Sequence, residues 1–207
     1  IERIEKSLEA AFIDYGQEKH GFLPFRELSE LYKKDKLTIQ DCLKEGQEII
    51  VQVEKEGRGN KGASLTTCVN IAGLYTILAT NKKNNIGISK QIQKNDRKNI
   101  KNILTKINLP GDTGLIIRTE GANKTLSDLQ CEVDHLSQLW QSILKVSKNR
   151  PSPFLIYQES DITVKIIKNY LKENIDSLIV DDLETYKSLR EFTKSTLPHY
   201  LDKIKFF

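Results

Sequence analysis

Leu126, Leu129, Val133, Leu136, Trp140 and Ile143 recur at steps of three and four residues behind Thr125-Leu126-Ser127-Asp128. That spacing dictates one long amphipathic helix with a capped start. Trp140 lies on its apolar stripe and reads as core rather than as a surface for stacking bases. A shorter stripe of Ile100, Ile103, Leu104 and Ile107, with cations opposite, predicts a second helix over 96–107, ended by Pro110-Gly111. Elsewhere the apolar residues come in strand-length runs, none near the ~18 to 20 residues a membrane span needs. With 38% apolar and 29% charged residues in a chain of 207, the composition predicts a soluble globular protein, neither wholly disordered nor membrane-embedded.

The strand-length runs group by position. From Ser7 to Phe25 apolar and polar residues alternate through Leu8, Ala10, Phe12 and Asp14, break at Gly16 and resume at His20-Gly21-Phe22-Leu23-Pro24-Phe25, which predicts two strands joined by a turn. A short helical piece over 26–32 follows, then strands over 48–54 and 61–69. Between these two strands lies Glu56-Gly57-Arg58-Gly59-Asn60-Lys61-Gly62, three glycines and two cations in seven residues, the composition of an exposed turn open to an anionic ligand. Short strands at this spacing suggest a small antiparallel barrel. From about residue 70, strand-like segments at 74–78, 86–88 and 114–119 alternate with the two helices. After Arg150-Pro151-Ser152-Pro153 the order is strand (154–158), helix (161–171), strand (177–180), helix (183–196) and strand (203–207). This is an α/β unit whose last strand is expected to need partners outside the chain.

Charge is uneven along the chain. The net charge is +4, yet residues 80–110 hold eight cations (Lys82, Lys83, Lys90, Lys94, Arg97, Lys98, Lys101, Lys106) against Asp96 alone. A local excess of this kind suits a surface that meets phosphate. A solvated lysine face, or a genome-wide drift toward lysine, asparagine and isoleucine, gives the same pattern, so charge by itself does not decide. Cys42, Cys68 and Cys131 are odd in number and never spaced Cys-x-x-Cys, and His20, His135 and His199 are scattered. A reducing cytoplasm is therefore expected, with neither a disulfide framework nor a zinc knuckle. The chain opens at Ile1 rather than methionine and ends in Ile204-Lys205-Phe206-Phe207, and it reads as an excerpt of something longer.

Three groups of residues offer chemistry. Asp181-Asp182, at a predicted strand end, could hold a divalent cation, but neighbouring acids there more often cap the next helix, and Leu183 begins one. Phe12 and Phe22, on adjacent predicted strands with Lys19, His20, Lys55, Arg58 and Lys61 nearby, could stack unpaired bases while the cations track a phosphate backbone; two core phenylalanines are the competing reading. Arg118-Thr119, emerging from Gly114-Leu115-Ile116-Ile117, could give a guanidinium fork and a hydroxyl to a phosphate monoester, or be ordinary surface residues. No Ser/His/Asp order and no Gly-x-x-x-x-Gly-Lys loop is present.

Five runs of sequence add to these readings: Ser7-Leu8-Glu9-Ala10-Ala11-Phe12-Ile13-Asp14-Tyr15-Gly16, His20-Gly21-Phe22-Leu23-Pro24, Gly59-Asn60-Lys61-Gly62-Ala63-Ser64-Leu65-Thr66-Thr67, Gly114-Leu115-Ile116-Ile117-Arg118-Thr119 and Arg150-Pro151-Ser152-Pro153-Phe154-Leu155-Ile156-Tyr157-Gln158-Glu159-Ser160. In this order they resemble the ribonuclease E/G family of bacterial endoribonucleases, the E branch more than the G branch. The resemblance implies a mixed α+β fold in three parts. These are an OB-type RNA-binding barrel lacking its first strand (1–69), a 5′ sensor (70–157) and part of an RNase H-like α/β subdomain (158–207).

By the same resemblance, Phe12, Phe22 and Lys61 bind single-stranded RNA, Arg118 and Thr119 contact a 5′ monophosphate, and Gly73 and Ile77 line the terminal nucleotide. The family's paired arginines after Gly-Ile-Ser are Lys90-Gln91 here, which weakens bidentate backbone contacts at that strand. No catalytic residue is expected in this chain, so Asp181 and Asp182 stay with capping. The ligands of the catalytic Mg2+ and of the Zn2+ that links protomers are expected beyond Phe207. The whole protein is expected to cleave single-stranded RNA bearing a 5′ monophosphate during RNA processing and mRNA decay. It is also expected to form a homotetramer, to meet degradosome proteins, and to work in the bacterial cytoplasm or at the inner-membrane face. The alternative is a stand-alone RNA-binding module without nuclease activity.

Overall fold

A computed structural model describes residues 1–33, 36–80, 86–158, 175–196 and 198–207. The chain divides into two compact units, Ile1–Ile156 and Tyr157–Phe207.

The first unit begins with β1 (Arg3–Glu5), β2 (Ala10–Ile13), β3 (Gly21–Pro24), β4 (Gln52–Lys55) and β5 (Ser64–Thr66), arranged in the order β1-β2-β3-β5-β4. The alternation read in the sequence sets the faces. Ala11, Ile13 and Leu23 turn inward with Leu28, Ile39, Leu43, Ala63 and Leu65, while Phe12 and Phe22, directly opposite each other across β2 and β3, stay half-buried on the other face. Each leucine or isoleucine so buried contributes roughly 1.5–3 kcal/mol. Leu28, Ile39 and Leu43 belong to the long connection from β3 to β4, which carries a 3-10 turn (Phe25–Glu27) and two single-turn helices, α1 (Glu30–Lys33) and α2 (Ile39–Cys42).

This sheet differs from the expected antiparallel barrel in two ways. First, β3 and β5 run parallel, with Phe22 opposite Ser64. A hairpin forces antiparallel pairing, but β5 returns to β3 through a connection long enough to permit either sense. Second, among the described residues β1 and β4 are not paired to each other, so the sheet is open rather than closed into a barrel. β1 itself, three residues long, is too short to show alternation in the sequence. The strand expected over 48–54 forms its ladder only at β4, because Ile49 and Val51 pack against the first core while Ile50 packs against the second.

The second sheet has the order β6 (Asn70–Ala72), β7 (Thr76–Ala79), β9 (Gly114–Ile117) and β8 (Ile86–Ile88), antiparallel except for β8 beside β9. Between β8 and β9 the chain forms α3 (Lys94–Leu104), which buries Ile100 and Leu104. The long stripe becomes α4 (Leu126–Ser147), opened by a capping box between Thr125 and Asp128. Leu136 and Ile143 of α4 pack with Val69, Ile71 and Leu78, and Trp140 lies half-buried against the same cluster, in the core role its spacing predicts. Leu78, Leu115 and Ile117 therefore face inward, and the opposite face of the sheet presents the half-buried pair Ile77 and Ile116. No strand forms at 154–158; Ile156 instead packs against the α4 cluster. The helix expected at 161–171 lies outside the described residues.

In the second unit, β10 (Leu178–Val180), α5 (Leu183–Thr196) and β11 (Ile204–Phe206) form a parallel β-α-β unit, with Leu178 opposite Ile204 and Val180 opposite Phe206. The last strand thus finds within the chain the partner it was expected to lack. Asp182 caps α5, its carboxylate accepting the Thr185 N–H at 2.8 Å. Hydrogen bonds from the Thr185 side chain and backbone hold this carboxyl below its ordinary value near 3.8. A depressed acid contributes stability above its unfolded pKa and loses it as pH falls through the folded one. Asp182→Ala is expected to lower the melting temperature at pH 7 and to leave the variant and the parent equally stable once the pH is taken well below 3.8, as followed by circular dichroism.

Candidate functional site

Arg118 follows β9 on the open face of the second sheet, its backbone N–H donating to Tyr75 O at 2.8 Å. Its side chain is 24% exposed. One N–H of the guanidinium (Nη1) donates to Gly73 O at 2.6 Å, and Glu120 lies 3.9 Å from Nε, too far for a hydrogen bond. The remaining N–H groups of the fork have no described protein acceptor. Thr119 is exposed; its hydroxyl donates to Gln91 Oε1 at 3.2 Å and lies 3.3 Å from the Ser89 hydroxyl. A guanidinium and two hydroxyls thus gather at the end of β8 and β9.

This cluster is held by residues that a search for chemistry passes over. Glu132, on the buried side of α4 and only 8% exposed, accepts from Leu74 N–H at 2.5 Å, from Tyr75 N–H at 3.0 and 3.1 Å, and from the Thr76 hydroxyl at 2.7 Å. These bonds fold 73–76 into a turn, which is why β7 starts at Thr76 rather than at Leu74, and they aim Gly73 O at Arg118. On the other side, Ser89 N–H donates to Ile117 O, and Arg97 of α3 donates to Ser89 O at 2.7 Å and to Ile92 O at 3.0 Å. The sequence does carry a signal for Glu132: an acid three residues after Leu129, inside an apolar stripe. Arg97 differs from the neighbouring lysines only in being the single arginine of its helix.

Of the residues expected to act together, Gly73, Arg118 and Thr119 fall in one cluster. Ile77 is opposite Ile116 in the ladder, and the two form a half-buried apolar floor beside Arg118.

On the first sheet, Phe12 and Phe22 meet edge to face, with ring centroids 5.8 Å apart and planes inclined at 63°. The Arg3 guanidinium lies 4.9 Å from the centre of the Phe12 ring, a cation–π contact that the short β1 hid from the sequence. Phe12, Arg3 and His20, with Glu2 and Glu45, line an open cleft of about 520 Å³. Lys61 stands exposed at the turn Arg58–Lys61, which Lys19 ties to β3 by donating to Gly59 O at 2.6 Å. The next residue, Gly62, abuts the His20 carbonyl, so the lysine is delivered to the same end of the sheet as His20.

Among the described residues no group of three or more His, Cys, Asp or Glu side chains could hold a metal ion. Asp181 and Asp182 do not fit a Mg2+ site: Asp182 is used as a helix cap, and no third ligand joins them among the described residues. No described helix is long and apolar enough to cross a membrane.

One open sheet face thus carries a guanidinium with two hydroxyls at its end, and the other an aromatic pair with Arg3 over one ring and Glu2 and Glu45 in the same cleft. Residues 70–207 match the family described as Ribonuclease E/G family. The whole chain aligns with ribonuclease E of Haemophilus influenzae at 42% identity, covering 23% of that protein, and with ribonuclease E of Escherichia coli K12 at 41%, covering 20%. Against ribonuclease G of Escherichia coli K12 the identity is 25%, over 44% of that protein. The chain belongs to the ribonuclease E/G family, and it spans about a fifth to a quarter of the length of the ribonuclease E relatives it matches.

Proposed function

We propose that this chain grips single-stranded RNA and senses its 5′ end within an endoribonuclease of RNA processing and mRNA decay. The observation that carries the reading is the Arg118 cluster. A 5′ monophosphate brings about −1.5 to −2 charges and three acceptor oxygens; the N–H groups of Arg118 not bonded to Gly73 supply matching donors, and the Thr119 hydroxyl joins them by turning from Gln91 Oε1 to the phosphate. Gly73 O fixes the guanidinium plane in advance, so little side-chain freedom is lost on binding. Ile77 and Ile116 offer the base of the first nucleotide an apolar floor.

The first sheet serves the downstream strand. Five short strands with a half-buried aromatic pair on the outer face suit an open OB-type platform, where each base stacked on Phe12 or Phe22 is worth roughly 1–3 kcal/mol and Lys61 meets the backbone. Cleavage itself needs a metal site that the described residues do not provide. The described residues bind and orient RNA, and no hydrolytic step is assigned to them.

The test compares one oligonucleotide carrying either a 5′ phosphate or a 5′ hydroxyl. Charge-assisted hydrogen bonds of roughly 1.5–3 kcal/mol translate into a preference for the phosphate of about 10- to 100-fold. Arg118→Ala is expected to bring the two affinities within about twofold of each other, by loss of the phosphate preference. Equal affinities in the parent chain would remove the proposal.

A further inference from the structure

The lysines of α3 are not used by the pocket just described, and their placement is regular. Lys94, Lys98 and Lys101 are all exposed, and at 100° per residue they fall within about 60° of one another around the helix. The same helix turns Ile100 and Leu104 inward, and its one acid, Asp96, is half-buried. No described acid forms an ion pair with any of the three lysines. By contrast Arg97, the fourth cation of α3, is bonded to Ser89 O and Ile92 O. It clamps the first turn of the helix to the loop whose Ser89 and Gln91 touch Thr119.

Two lengths follow. Lys94 is three residues from Gln91, at most about 10 Å of chain, so the lysine row starts within one nucleotide's reach of the pocket. From Lys94 to Lys101 the helix rises about 10 Å, a span that accommodates two or three consecutive phosphates of an extended single strand. Exposed ammonium groups on flexible stems suit a charged backbone read without sequence preference.

We infer that α3 is a backbone track: Lys94, Lys98 and Lys101 bind the phosphates of the nucleotides that follow the 5′ end. This rests on reading the Arg118 cluster as the 5′-phosphate pocket. An acidic protein segment would also be drawn to lysines, but contiguity with a phosphate-sized donor cluster favours a nucleic acid, whose repeating charge can bridge both.

The experiment replaces all three lysines with glutamine in the full chain and measures binding of a ten-nucleotide single-stranded RNA, with 5′ phosphate or 5′ hydroxyl, across 50 to 200 mM salt. Each lost phosphate contact removes roughly 0.7 from the slope of log affinity against log salt. The triple variant is therefore expected to lose about 2 units of slope, and its affinity to fall about 16-fold less across that salt range. The ratio between phosphate and hydroxyl ends should stay as in the parent chain. The Lys→Arg triple variant should restore the slope, and a nucleoside 5′-monophosphate, which has no following phosphate for the track, should bind parent and variant alike. An unchanged slope overturns the inference, as does a variant that loses binding to a polyglutamate peptide while keeping the RNA slope. Arg118→Ala separates the two readings, since it removes the end preference without touching the slope assigned to α3. If the parent chain shows no end preference, the pocket reading falls and the slope alone decides the track.

Discussion

Glu132→Ala is expected to destabilise the first unit by about 3–5 kcal/mol and to abolish the preference for a 5′ phosphate. The carboxylate satisfies Leu74 N–H, Tyr75 N–H and the Thr76 hydroxyl at once. Removing it leaves three donors in a site only 8% exposed, each costing roughly 1–3 kcal/mol when unpaired, less what entering water recovers. Glu132→Gln keeps one acceptor oxygen and should cost about half as much. Gly73 provides the sharper test. A Cβ there would come within 2.5–2.7 Å of the Glu132 carboxyl atoms, and a carboxylate held by this many bonds cannot swing aside. Gly73→Ala alone should therefore cost about 1–3 kcal/mol by overpacking. In the Glu132→Ala background that clash is gone, so the second substitution should cost little and the cycle should show coupling of about 1–3 kcal/mol. Urea denaturation of the four proteins measures it. Additivity within about 0.5 kcal/mol, or a 5′-end preference that survives the loss of Glu132, would mean that the turn does not hold Arg118.

The same turn explains what was legible in the sequence. α4 and its cap were readable because both signals are local: a stripe at three and four residues, and Thr125 bonded to Asp128 one turn later. α5 was readable for the same reason, and so was the β2–β3 pair, in which alternation put Phe12 opposite Phe22. Leu74 looked like the start of a strand because it is apolar and followed by Tyr75, yet its N–H is taken by an acid 58 residues away. No local pattern encodes such a partner. Strands of three residues such as β1 and β6 leave too little text for alternation, and the parallel pairing of β3 with β5 is decided by the route of a long connection. The site followed the same division. Arg118 and Thr119 were visible as residue types at a strand end, whereas Glu132, Ser89 and Arg97, which place them, become visible only when distant segments are brought together.

Gly62→Ala is expected to impair the first sheet somewhat less than Glu132→Ala impairs the second, with the opposite functional signature. A Cβ at Gly62 would lie 1.9 Å from the His20 backbone oxygen and 3.0 Å from its carbonyl carbon. Both are main-chain atoms beside β3, so no rotamer change relieves the contact, and β5 must move away from β3. That movement stretches the Phe22 N–H to Ala63 O bond, now 2.8 Å, and carries Lys61 away from the end of the sheet where His20 and Phe12 line the cleft. Overpacking at about 1–3 kcal/mol together with a strained backbone hydrogen bond at about 1 kcal/mol gives an expected loss of roughly 2–4 kcal/mol. Because the pocket around Arg118 belongs to the other sheet, RNA affinity should fall by a similar factor for 5′-phosphate and 5′-hydroxyl oligonucleotides, leaving their ratio unchanged. Lys61→Ala, which removes the cation and keeps the close approach at Gly62, separates charge from geometry: it should lower affinity and the salt slope by about one phosphate contact without changing the urea midpoint. A Gly62→Ala protein as stable as its parent would show that β3 and β5 can part freely, and the rigid platform beneath Phe12 and Phe22 would have to be abandoned.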